Sequence, residues 1–130
     1  MAYVYFNPNP RGAKVGDCSV RAICKATDKS WEDSYIGLCA EGLIYADMPS
    51  SNYVWGMYLR RFGFNQKMID SVCPRCTTVS EFAEEHPKGC YVLTCQSHVV
   101  TCKDGCFFDS WDSGNEIVLY YFEKEYEYGL

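Results

Sequence analysis

The chain has 130 residues, 48% of them hydrophobic and 16% aromatic, enough to bury the core of a single domain spanning 1–130 without metal or disulfide staples. That composition excludes a disordered chain. The formal net charge is -5 and no basic cluster exceeds the pair Arg60-Arg61, so the dense positive field of a nucleic-acid groove is missing and no nucleic-acid partner is expected.

The first stretch, "MAYVYFNPNPRG", lacks a basic segment followed by an apolar one, so it does not read as a secretory signal. No later segment approaches the roughly 18 apolar residues of a membrane helix. A cytoplasmic protein with no membrane partner is therefore expected. Its nine cysteines should then be reduced, and an odd number cannot all pair within one chain. "NPNPRG" (Asn7 to Gly12) is extended or turn-like, because each proline disfavours helix at the residue before it.

A helix is expected from Asp17 or Cys18 to Thr27, with Val20, Ile23, Cys24 and Thr27 at helical spacing. A second begins at Ser30, with Asp33 three residues on, and stops at Gly42. A third runs from Ser50 or Ser51 to Phe62 before Gly63. A short fourth opens at Thr78, with Glu81 completing a capping box, and closes before Pro87. From Gly89 the period changes. "CYVLTC", "SHVVTC", "CFFDSW" and "EIVLYYFE" are rich in β-branched and aromatic residues, and the Asp104-Gly105 pair supplies a hairpin turn between the second and third. Helices first and antiparallel strands after them make an α+β fold, with N-terminal helices packed on a C-terminal antiparallel sheet.

Cys18 sits where the first helix starts. Free N–H groups and the helix dipole favour a thiolate there, and can stabilise an oxyanion on an acyl substrate. Asp17, next to it, would repel a thiolate unless its carboxylate caps the helix. A nucleophile also needs a base, and the chain has two histidines. His86, in "EEHPKG", reads as a solvated capping residue. His98 opens a strand, a rigid platform for an imidazole, although a hydrogen-bonded core histidine is the plain alternative. A third residue must fix the imidazole tautomer. With the turn at Asp104-Gly105, facing residues have numbers summing to roughly 209, which sets His98 near Trp111 with Asp109 and Asp112 close by. Asp109 lies among aromatics, where an unpaired carboxylate costs several kcal/mol. It is the favoured acid. Asp112 is the alternative, although Ser113-Gly114 after it suggests a turn cap.

In this order "GDCSVRAI", "SHVV" and "FFDSWD" resemble the papain-like cysteine peptidase superfamily. The chain looks most like small papain-like proteins of tailed phages and the bacteria that carry them, and more distantly like bacteriocin-processing peptidases. The likeness runs from "YFNPNP" through "MPSSNYVWG" to "FFDSWDSG". It implies a papain-like fold and a phage-infected or lysogenic bacterial host. It also implies a cysteine hydrolase cutting a peptide or isopeptide bond through a thioester acyl-enzyme. Cys18 would be nucleophile, His98 general base and then acid, and Asp109 the orienting residue. The family usually carries a glutamine or another amide a few residues before the cysteine. Here Asn7 and Asn9 are the only upstream amides, and so the candidate oxyanion donors.

Two other readings stand beside this one. A catalytically inactive papain-like binding module would hold a peptide or host protein in the same cleft. A zinc-stabilised interaction protein would centre on "VCPRC", where Cys73 and Cys76 have knuckle spacing but need two further ligands. Cys90, Cys95, Cys102 and Cys106 fall on expected strands, where they could converge or simply pack. No cofactor is expected, and the expected partner is a peptide or protein substrate.

Overall fold

The structure, a computed structural model, describes residues 2–69 and 76–125. Among these residues it is α+β, with four helices and a six-stranded mixed sheet. The strands are β1 (Tyr3–Tyr5), β2 (Phe64–Met68), β3 (Cys90–Cys95), β4 (His98–Lys103), β5 (Cys106–Asp109) and β6 (Tyr120–Lys124). Their order is β1-β5-β4-β3-β6-β2, and only the β1–β5 pair is parallel.

Alternation along β3 and β4 divides the core in two. Cys90, Val92 and Val99 pack on one face with α1 (Cys18–Thr27), α2 (Trp31–Tyr45) and α3 (Asn52–Arg60). Tyr91, Leu93, Val100 and Cys102 pack on the other with α4 (Val79–Glu85). The period-2 geometry of a strand makes this division automatic once both faces are covered. The sequence reading had all the helices ahead of a purely antiparallel sheet. The sheet instead recruits two strands from the first half of the chain. β1 is only three residues long, and β2, "FNQKM", is a mostly exposed edge strand without an apolar stripe. Neither carries a period to detect. At the other end, "EIVLYYFE" is ladder strand only from Tyr120. Glu116 and Ile117 are spent on the start of α4 instead, through Val79 N–H to Glu116 O and a bridge from Thr78 to Ile117.

Helix boundaries follow local chemistry. Ser30 accepts from Asp33 N–H at 3.1 Å, and Thr78 and Glu81 form the expected capping box. Gly42 does not end α2. The helix runs to Tyr45 and Ala46 takes the left-handed cap, while Gly42 lets the chain fold back: a Cβ there would lie 2.6 Å from Asp47 O. The third helix stops at Arg60 rather than Phe62, because the chain turns at 61–63 to enter β2.

Two features position the site. α1 is enclosed on nearly every side, and Thr101 Oγ1 of β4 donates to Ala22 O at 2.7 Å, fixing the helix across the strand. The β4–β5 hairpin turns on Asp104 (φ 50°) and Gly105 (φ 81°), both left-handed as the tight turn requires. It pairs Thr101 with Phe108 and Cys102 with Phe107, the register expected from the sequence. The start of α1, the start of β4 and the end of β5 therefore meet at one end of the central strands.

Candidate active site

Cys18, His98 and Asp109 come together at that end. His98 Nε2 donates to Asp109 Oδ2 at 2.5 Å, and Cys18 and His98 line one cleft, where each acts on the other's charge. Asp109 is 1% exposed and accepts four hydrogen bonds. Oδ2 receives His98 and Ser113 Oγ (2.6 Å); Oδ1 receives Ser110 N–H (2.8 Å) and Arg21 Nη2 (3.1 Å). A buried carboxylate needs such partners, and here every lone-pair direction is used. The Trp111 ring lies 4.7 Å from the His98 ring and shields one side of it.

The electrostatics favour an ion pair. Burial alone would push the Cys18 thiol up. The hydrogen bond and charge of His98, a bond from Val99 N–H and the Arg21 charge outweigh it, and the thiol lies below its ordinary value. Burial alone would lower His98, yet the bonds and charges of Asp109 and Cys18 hold it up at about 9. Burial would raise Asp109, but bonds to His98, Ser113 and Ser110 keep it below the usual carboxylate value. The thiol is thus driven toward thiolate and the imidazole toward imidazolium.

Asp17 does not cap α1, as the sequence reading had allowed. It makes no capping bond; its carboxylate turns inward to accept from Trp31 Nε1 at 2.9 Å and from Arg21 Nη1. The N–H groups of the first turn therefore have no side-chain cap, at the very point where Cys18 borders a cleft. That cleft measures about 450 Å³ and is lined by Cys18, His98, Asn52, Thr94, Gln96 and Tyr120, among others.

Asn7 and Asn9 are not part of it. Asn7 donates to Ala13 O and accepts from Asn9 N–H, and Asn9 accepts from Arg11 and Ala13 N–H, so both hold the proline turn instead. An Asx side chain this close to its own backbone closes a turn more readily than it reaches across a site. The amides that line the cleft are Asn52 and Gln96, which lie downstream of Cys18. Asp112 is exposed and accepts from Gly114 N–H at 3.0 Å, a turn cap outside the His98 network. His86 caps α4 on the other face, stacked 3.8 Å over Phe82. Cys73 lies outside the described residues and Cys76 is exposed. No group of three or more potential metal ligands occurs among the described residues, and the eight cysteines there are free thiols. No described helix is long and apolar enough to cross a membrane.

Sequence reasoning missed Arg21, Ser113, Trp31 and Gln96. Arg21 left one usable signal: a lone arginine inside "VRAIC", a segment otherwise apolar enough to be buried.

No protein-family model matches the chain, and no curated protein or solved structure matches it.

Proposed function

We propose that the protein is a cysteine hydrolase that cuts a peptide or isopeptide bond through a thioester acyl-enzyme. The observation that carries this reading is the series Cys18–His98–Asp109, in which His98 is bonded to Asp109 and shares a cleft with Cys18, with the thiol drawn down and the imidazole pushed up to about 9. The Cys18 thiolate attacks the carbonyl carbon, and the oxyanion is met by the uncapped N–H groups at the start of α1. His98 then gives its proton to the leaving amine, the C–N bond breaks, and a thioester on Cys18 remains. Water, deprotonated by the now neutral His98, attacks the thioester; the thiolate leaves and the acid product is released. Asp109 holds the ring in one tautomer throughout.

A peptide substrate is favoured by the cleft wall. Asn52, Gln96 and Tyr120 supply amide and hydroxyl groups suited to a peptide backbone, and Thr94 Oγ1 is buried there with no hydrogen-bond partner in the protein. The same reading takes the fold as papain-like. It is supported by the chain order of helix-start cysteine, strand-start histidine and next-strand aspartate.

One observation favours a second reading, a papain-like module that binds a peptide without cutting it: the upstream amides Asn7 and Asn9 are committed to their own turn. Incubation with a complex peptide library, read by mass spectrometry for new termini, separates the two. New termini with wild-type protein and none with Cys18→Ala support the hydrolase. Peptide retention without new termini, equal for both proteins, supports the binding module.

A further inference from the structure

Arg21 lies one turn beyond Cys18 on α1 and is 6% exposed. Its two terminal nitrogens go to different acids. Nη1 is paired with Asp17 Oδ1, and Nη2 lies 3.1 Å from Asp109 Oδ1. We infer that Arg21 is the positioning residue of the site, tying Asp109 and Asp17 into one unit so that one acid orients His98 and the other is kept from repelling the Cys18 thiolate. The inference rests on the thiolate–imidazolium reading given above.

Asp109 divides its oxygens by task. Oδ2 faces His98 and Ser113, while Oδ1 faces Arg21 and Ser110 N–H. With Oδ1 held, the carboxylate cannot rotate away from the imidazole. Asp17 poses the opposite problem, being buried and adjacent in sequence to the nucleophile. Left alone, its charge would favour a proton on Cys18. A lysine could neutralise one acid, but only the planar fork of arginine reaches both with separate nitrogens.

The titratable and polar groups around the site come from every neighbouring element. α1 supplies Asp17 and Arg21, β4 supplies His98, β5 supplies Asp109, β3 supplies Cys95, β6 supplies Tyr120, and α2 contributes the uncharged Trp31 indole. With Cys18 and His98 as an ion pair, the charged groups number three negative and two positive. Without Arg21 a single cation faces three anions, and protonating Cys18 is the readiest relief. Stability gives no sufficient reason for the arrangement, because desolvation largely offsets attraction in a buried ionic cluster. The Arg21 Nε also has no hydrogen-bond partner, a cost that a purely structural link would have been free to avoid.

The test is a double-mutant cycle on the pH profile of Cys18 alkylation by iodoacetamide, read by mass spectrometry on the Cys18 peptide, with melting curves alongside. Arg21→Met should raise the apparent Cys18 pKa by about one unit. Combined with Asp17→Asn, the same substitution should raise it by less than half as much. No rise, or an equal rise in both backgrounds, overturns the inference. Should Arg21→Met fail to fold, Arg21→Lys carries the cycle: a smaller rise is expected with Asp17 intact and none in the D17N background. No rise in either background overturns it. A wild-type Cys18 with an ordinary thiol value would overturn the proposed function and this inference with it. A low wild-type value that Arg21 variants leave unmoved counts against Arg21 alone.

Discussion

Cys18 and Cys95 line the same cleft, yet their surroundings drive the two thiols in opposite directions. Burial pushes both up. At Cys95, on the strand side, the charges of Glu116, Asp109 and Cys18 add to burial and the thiol reaches about 12. At Cys18, on the helix side, His98, Val99 N–H and Arg21 reverse the effect of burial. Cys90 and Cys102, deep in the sheet, follow Cys95 at about 11 and about 12. Bordering the cleft is thus not what activates a cysteine here. The His98 ring beside it is what sets Cys18 apart, and Asp109 behind that ring holds its value up.

The contrast breaks most completely at Asp109. If the chain is the proposed hydrolase, Asp109→Asn should lower turnover by about four orders of magnitude, since an amide can hold the imidazole in the wrong tautomer. It should also reduce the difference in reactivity between Cys18 and Cys95. The same variant alters the pH dependence of stability. A carboxylate held below its unfolded value stabilises the fold above pH 3.8, and that contribution is lost as pH falls through the lowered value. His98 acts in the other sense. Its contribution is full below 6.5 and is lost as pH rises through about 9. Cys18, held below 9.0, opposes His98 over the same range, so the acid limb is where Asp109 is visible. Urea midpoints measured from pH 6 down to pH 2 should fall less steeply for Asp109→Asn than for wild type.

A smaller effect is expected from direct competition between the thiols. At pH 7 limiting iodoacetamide should modify Cys18 at least about 100-fold faster than Cys90, Cys95 or Cys102, because only a thiolate reacts and theirs is scarce. Labelling spread evenly over these four, read by peptide mass spectrometry, would remove the contrast between the two sides of the cleft. The smallest effect belongs to Asp112. Its carboxylate caps the turn at Gly114 from an exposed position, so Asp112→Asn should cost about 0.5 kcal/mol or less and leave Cys18 reactivity unchanged. A folded Asp112→Asn variant with an unreactive Cys18 would move the orienting role from Asp109 to Asp112.

What the sequence made legible followed from short-range rules. The Asp104-Gly105 turn fixed the register that sets Asp109 beside His98, and the position of Cys18 at a helix start was readable from the turn before it. The capping box at Thr78 was equally local. The missing parts were long-range. β1 and β2 are too short or too polar to show a period, and they are strands because β5 and β6 offer them open edges. The papain-like resemblance points to oxyanion donors upstream of Cys18. Asn7 and Asn9 close their own turn, and the amides at the cleft, Asn52 and Gln96, arrive from α3 and the β3–β4 turn. Arg21 has no local pattern that marks both of its partners in the sequence. Its partners lie four residues before it and 88 residues after it, and only the fold joins them.

The hydrolase reading requires His98 to be an imidazolium at neutral pH, held so by Asp109 on one side and Cys18 on the other. The direct measurement is an NMR titration of the imidazole carbons and nitrogens in histidine-labelled protein, with the two histidines told apart by His86→Gln. The expected result is a His98 signal that stays in its protonated position through pH 8 and titrates near 9. A His98 that loses its proton below about pH 6.5, the unperturbed value, would contradict the ion pair and the hydrolase reading built on it.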